Sequence, residues 1–513
     1  MQSKTQFRQG PVNGEAEQSS GNAGYLSALL ERPVIWTFCA LAVAFLQIAL
    51  VLTHDAFVDE WQALQIAVQT PDISSLLANL RYESHPFGWY IFLRGLAAVF
   101  GPYNALQAAS LICGLFTLWV ILLRSPFPHW ARLALALSPP LLFEFVAVSR
   151  GHTLGLAMFM GVMAAWRHPR LVWLPIALLP TVDFLYGVAS LAFVAWRWRE
   201  RGGEQPGWWW PGVAGWAILS LLSAWSIIPA EDYIPVYGAT NGEPFHLLMA
   251  LIRLSIVYVP IQGNLFAFDW SAGPPDPLML TCWAILFLTM FDITRGRPVA
   301  RAALFGTAAL MFAFSAFLYP LQNRHVWVLG LLIVAVLWRN AANGEALGKL
   351  ANIWLLIGAV SGIYTAWFVI VQPFDRSRDI AATIKAQGLQ GEHWVAIPEM
   401  AGQGVSALTD MRFEKIGRNC MHQFVRWDTP LEMRKPDGFN PWLETAVAER
   451  GRFYILTEES LQHQRIREVA SISGQVDGKR HRIYVANEDQ PAARLDLPDC
   501  QPGLRPLADD PAI

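Results

Sequence analysis

The chain has 513 residues, of which 54% are hydrophobic and 15% charged, with a formal net charge of −2 at pH 7. A typical soluble domain carries about 25% charged residues; it is the recurrence of long apolar runs, more than this average, that excludes an ordinary soluble fold of that length. The net charge argues neither for nor against nucleic acid, but no basic stripe stands outside the loops between apolar runs, so a nucleic-acid partner is not expected.

In chain order, residues 1–32 are polar, with Gln, Ser, Asn and Gly, and lack the short apolar core and small-residue cleavage site of a secretory signal. They read as a disordered cytoplasmic tail. Val34 to Leu52 then carries no charge. Apolar runs near the roughly 20 residues of a bilayer crossing recur from there on, at 34–53, 104–123, 131–149, 152–166, 170–182, 184–196, 209–228, 277–293, 302–318, 326–338 and 351–371. This predicts an α-helical polytopic membrane body over 33–371 with about eleven spans. Many of the Trp residues near run ends, such as Trp36, Trp130, Trp173 and Trp338, suit interfacial anchoring.

Lys and Arg gather in alternate loops, at Arg124, Arg132, Arg167, Arg170, Arg197, Arg297, Arg339 and Lys349 among others. By the retention of positive charge in the cytoplasm, this places the N-terminus inside and the C-terminus outside. Counting the run from 86 to 100 as a span would invert the later loops. His85 to Phe100 is therefore expected to lie on the outer face, within a first outer loop at about 54–103. A multi-pass protein of the bacterial inner membrane is the expected setting.

After Gln372-Pro373 the composition turns soluble, and 372–513 is expected to form a small extracytoplasmic α/β domain with a Pro-rich tail after Pro498. RSRDIAATIKAQGL reads as a helix closed by Gly388, and HWVAIPE, RFYILTEE and HRIYVANE as strands. Cys39, Cys113 and Cys282 fall in apolar runs, as small hydrophobes do. Cys420 and Cys500 lie in the outer domain, where an oxidising compartment permits a disulfide and equally leaves two free thiols.

The candidate chemistry gathers at the outer ends of the spans. Asp59 and Glu60 follow the first span, and on a helix they point about 100° apart, so one of them faces any shared cleft. A carboxylate there can take the proton of an acceptor hydroxyl; the plainer reading makes Asp59 the N-cap of EWQALQIAV. His85 opens the aromatic stretch HPFGWY. Arg150 and His152 open a later helix, where a guanidinium and free amides suit a phosphate; interfacial snorkelling is the alternative for Arg150. Asp183, in LLPTVDFLYG, is an ionisable group in an apolar setting. Tyr319, Arg324 and His325 precede or open a late span and suit an anionic lipid head group.

In this order of motifs the chain resembles the GT-C class of membrane glycosyltransferases, which includes aminoarabinose transferases and protein O-mannosyltransferases. The matching pieces are the acidic pair Asp59-Glu60, the His-Pro-aromatic stretch His85, Pro86, Phe87, Trp89 and Tyr90, the Arg-bearing turn at Arg150, and Arg324-His325. The resemblance covers about 34–371. It implies a polyprenyl-phosphate-linked sugar as donor, an acceptor of lipid, glycan or protein on the non-cytoplasmic face, and inversion at the anomeric carbon. Asp59, with Glu60 beside it, would be the catalytic carboxylate, and Arg324 would contact the lipid phosphate. Relatives often carry a further acidic residue where this chain has Arg150-Gly151-His152, and Thr-His-Tyr where it has Val182-Asp183-Phe184. That departure leaves a divalent metal unassigned.

A transporter or flippase, or a noncatalytic subunit of a polysaccharide assembly pathway, is the rival reading. Its ionisable residues would be expected near mid-membrane rather than at one face, with a visible inverted repeat.

Overall fold

The computed structural model describes residues 28–200, 207–234, 244–258, 276–429, 436–475 and 478–507. Most of the expected N-terminal tail lies outside them. The protein is mainly helical, with a six-stranded sheet near its C-terminus.

Five described helices are long and apolar enough to cross a membrane: Pro33–Thr53, Pro102–Arg124, Pro298–Phe317, Asn323–Ala342 and Lys349–Val371. The eleven expected crossings do not reappear one for one. The run 131–149 breaks after His129–Ala136, because Ser138-Pro139-Pro140 cannot continue a helix, and only a π-helical turn at Pro140–Glu144 follows. The run 170–182 becomes the six-residue helix Trp173–Leu178 and a 3-10 turn at Leu179–Thr181. By contrast, the 13-residue run 326–338 belongs to a 20-residue helix, 323–342, whose buried residues include nearly its whole length.

Lys349–Val371 packs on His129–Ala136 through Gly358 and Gly362, a small-xxx-small spacing that lets backbones approach. A Cβ at Gly358 would sit 3.5 Å from the Ser138 side chain, and one at Gly362 would overlap the carbonyl oxygen of Leu137. Gly362→Ala is expected to lower stability by about 1–3 kcal/mol through overpacking. Thermal unfolding in detergent checks this, and a melting curve coincident with wild type would refute it.

At one end of the helical body lies the helix Val58–Gln69. Arg94, from the neighbouring helix Gly88–Phe100, donates to the carbonyls of Ala67 and Thr70 at 2.6 Å each and so satisfies its C-terminal end. Gly88–Phe100 is buried along Trp89, Tyr90, Leu93 and Leu96.

The sheet is mixed. Strands β1 (Trp394–Ile397), β2 (Phe413–Lys415), β3 (Cys420–His422), β4 (Phe453–Thr457), β5 (Ile466–Ile472) and β6 (His481–Ala486) run in the spatial order β3-β2-β1-β4-β6-β5. β1 pairs parallel with β2 and β4, and the outer pairs are antiparallel. The three expected strands are β1, β4 and β6. The expected helix is Ser377–Ala386, followed by Gly388 at φ 67°. Cys420 and Cys500 are paired, which settles the open choice and ties the C-terminal segment to β3. That segment is packed rather than loose: Leu504 and Leu507 join the apolar cluster around Leu64 and Ala67, and the Arg505 N–H donates to the Gln69 carbonyl at 2.8 Å.

Gln62, Gln65 and Gln69 stand three and four residues apart on one face of Val58–Gln69, where a helix places neighbours. All three are buried against the C-terminal domain. Gln62 Nε2 donates to the Val425 carbonyl at 3.3 Å, Gln65 Nε2 to that of Gln423 at 3.2 Å, and Gln403 bridges to Gln65 Oε1. A seam of neutral amides thus seats the domain on the helical body.

Candidate active site

A cavity of about 580 Å3 opens where the ends of several helices meet the domain. Asp59, His85, Arg150, His152, Asp183, Arg324 and His325 all line it, although they are drawn from five separate stretches of chain. Its floor and sides are aromatic and apolar, with Trp89, Tyr90, Phe184, Phe314 and Leu318, and the C-terminal domain contributes Trp427.

Asp59 stands on the second residue of Val58–Gln69 and faces this space. An Arg150 guanidinium nitrogen lies 2.7 Å from its Oδ2, and one of Arg324 lies 3.9 Å away. Burial acts to raise the Asp59 pKa, but Arg150, then Arg324 and His85, outweigh it, so the carboxyl is held below its usual range. Asp59 is an anion clamped between cations. It does not cap its helix: the Phe57 N–H is accepted by Glu60 at 3.1 Å.

Glu60, read from the sequence as the catalytic partner of Asp59, does not reach the cavity. It is fully buried on the opposite side of the helix. Its Oε2 accepts from His54 Nε2 at 2.7 Å and from the Phe57 N–H, and its Oε1 accepts from the Ser149 N–H at 2.6 Å. The 100° step between adjacent helical residues separates the two carboxylates, one to the cavity and one to the core. Glu60 braces the end of the first long helix and the strand of backbone that carries Arg150.

Arg150 precedes Gly151–Ala165 in extended conformation. The Thr153 hydroxyl accepts its N–H at 3.1 Å and donates to the Val148 carbonyl at 3.1 Å. His152 stacks on Phe145 with centroids 5.1 Å apart and lies 5.6 Å from the ring of His325. His325 Nδ1 accepts the Gln322 N–H at 3.0 Å, so a neutral ring carries its proton on Nε2.

His85 Nδ1 lies 3.5 Å from Asp183 Oδ2, while Asp183 Oδ1 accepts the Leu185 N–H at 2.9 Å. Gly88 makes this approach feasible. A Cβ there would meet the Thr181 carbonyl oxygen at 2.7 Å, so only glycine lets the start of Gly88–Phe100 rest on Thr181-Val182.

One cavity residue had no assigned role in the sequence reading. Glu83, in the turn before His85, has its Oε1 hydrogen-bonded by Gln62 Nε2 at 2.5 Å. Burial pushes its carboxyl up to about 8, with the Gln62 hydrogen bond lowering it, the Asp59 charge raising it and Arg150 lowering it again. The visible signal was modest: a carboxylate two residues before the His-Pro stretch.

Among the described residues, no group of three or more His, Cys, Asp or Glu side chains is gathered closely enough to hold a metal ion. The site thus offers two fixed guanidiniums, three carboxylates, of which Asp59 and Glu83 stand in opposed environments, and an aromatic floor. Comparison with protein-family models, with curated proteins and with solved structures gives no match to this chain.

Proposed function

We propose that the protein is a membrane glycosyltransferase of GT-C type, which moves a sugar from a polyprenyl-phosphate donor to an acceptor on the non-cytoplasmic face with inversion. The observation that carries this reading is the convergence of Asp59, Arg150 and Arg324 with Glu83 and the His85–Asp183 pair in one cavity at the helix ends.

A polyprenyl phosphate is already a competent leaving group. The protein has to align donor and acceptor, stabilise the departing phosphate and remove one proton. Arg150 and Arg324 are the phosphate-binding groups, since guanidinium forks match phosphate oxygens. His152 and His325 form the wall behind them. Trp89, Tyr90 and Phe184 present flat apolar faces to the sugar and the first prenyl units. Asp59, expected from the sequence to act as general base, is here tied to both guanidiniums. We give it the task of holding them in place until a phosphate arrives. No three-donor metal set is assembled among the described residues, and the roles given above are those of side chains alone. The setting we propose with it is the bacterial inner membrane, with the C-terminal domain outside.

Purified protein offered a panel of radiolabelled polyprenyl-phosphate sugars is expected to transfer from at least one. Asp59→Asn, correctly folded, is expected to lose about 10²-fold or more, as when one preorganised electrostatic group is removed. Folded wild-type protein that transfers from no donor would end this reading and favour a transporter or a noncatalytic assembly subunit.

A further inference from the structure

Of the three cavity carboxylates, Asp183 is engaged by His85 at 3.5 Å and the Leu185 N–H at 2.9 Å, which leaves Asp59 and Glu83 to compete for the role of proton acceptor, and their surroundings differ in kind. Asp59 faces Arg150 at 2.7 Å and Arg324 at 3.9 Å. Protonating it would forfeit both attractions, which makes it a weak base. Glu83 has no cation within ion-pair range among the described residues. Its one side-chain partner is the neutral Gln62, itself buried and oriented by the Val425 carbonyl.

We propose that Glu83 is the general base of the transfer, receiving the proton of the acceptor hydroxyl, while Asp59 is a positioning residue for the two guanidiniums. This rests on the glycosyltransferase reading above. In the step, the acceptor oxygen forms a bond to the anomeric carbon as its proton passes to a Glu83 carboxylate oxygen. The bond from that carbon to the phosphate oxygen breaks, and its electron pair leaves with the polyprenyl phosphate, beside Arg150 and Arg324. Glu83 then releases the proton to solvent before the next turnover.

The position of Glu83 suits an acceptor entering beneath the C-terminal domain. The turn that bears it lies beside Tyr82, whose hydroxyl donates to Asp232 at 2.5 Å and receives the Arg426 guanidinium. Glu83 is therefore at the domain side of the cavity. Around it stand Asp59 on Val58–Gln69, Tyr90 on Gly88–Phe100 and Arg150 ahead of Gly151–Ala165. The other walls bring His85 with Asp183, Tyr233, and Arg324 with His325. Opposed environments for two carboxylates are how one site divides ionic and proton-transfer duties.

The test is the pH dependence of kcat/KM for full-length protein in lipid nanodiscs, with the donor found active above and polyprenyl phosphate as binding probe. Wild type is expected to rise with unit slope and level off near pH 8. Glu83→Gln is expected to lose roughly 10²–10⁴-fold and its rising limb, yet bind polyprenyl phosphate as wild type does. Glu83→Asp should recover part of the rate on a displaced limb. Asp59→Asn should keep the limb and weaken phosphate binding instead. Glu83→Gln that transfers at the wild-type rate, or Glu83→Asp with an unmoved limb, overturns the assignment while leaving the transferase standing. A wild type inactive with every donor removes the transferase itself, and this role with it. If Glu83→Gln does not fold, the Glu83→Asp profile decides.

Discussion

Glu60→Ala is expected to abolish accumulation of folded protein, whereas Asp59→Asn, one residue away, is expected to fold as wild type. Glu60 is fully buried, and three donors converge on its two oxygens: His54 Nε2, the Phe57 N–H and the Ser149 N–H. Removing the carboxylate leaves all three in the core without an acceptor. Leaving a buried donor unsatisfied costs about 1–3 kcal/mol, so losing the acceptor of three of them takes a large share of the roughly 5–15 kcal/mol of a whole protein. Glu60→Gln is no rescue, because its amide group would turn a donor toward other donors. Size-exclusion profiles and thermal midpoints in detergent make the comparison. Glu60→Ala and Glu60→Gln that both elute and melt like wild type would remove the bracing role.

The second large effect is on activity. Arg150→Ala is expected to lower transfer by about 10²–10³-fold, as loss of one preorganised donor does, and to weaken binding of polyprenyl phosphate. It also strips Asp59 of its nearest cation, so that burial is opposed by Arg324 and His85 alone and the carboxyl moves up. Transfer by the variant should therefore acquire a new dependence on pH in the acid range, as Asp59 is neutralised. Arg150→Lys should fall between, since an ammonium supplies the charge without the planar fork. Steady-state kinetics against pH, with phosphate-lipid binding measured in parallel, checks both parts. Full transfer by folded Arg150→Ala would show that the phosphate sits elsewhere.

What could be read in the chain divides along physical lines. Apolar length showed the membrane body, and alternation of Val, Ile, Tyr and Phe showed β1, β4 and β6. The strands missed are those that lack such a signal. β2 and β3 have three residues each, and β5, IREVASI, is an edge strand with much of its surface exposed. Span counting failed at Pro139-Pro140 and at 170–182, where hydropathy continues but the helix does not.

The site followed a similar rule. Seven of the eight candidate residues line one cavity, because ionisable groups at helix ends in an apolar chain have few places to go. Of the adjacent pair, one was expected to face the cleft, and which one was not legible. Telling Glu60 from Asp59 requires the helix phase, which begins at Val58 rather than at Glu60. Glu83 was hidden for the opposite reason: its significance lies in having Gln62 and not an arginine for a neighbour, and Gln62 is 21 residues away.

The glutamine seam between Val58–Gln69 and the C-terminal domain has an environmental meaning. Amides neither titrate nor attract counterions, so acid and salt have little hold on these contacts; they act instead on the ion pairs that also cross the joint, Arg378–Asp55 at 3.2 Å and Arg426–Asp232 at 3.9 Å. The amide contacts, which neither gain nor lose charge, are thus the part of the joint that holds Trp427 at the cavity independently of pH and ionic strength.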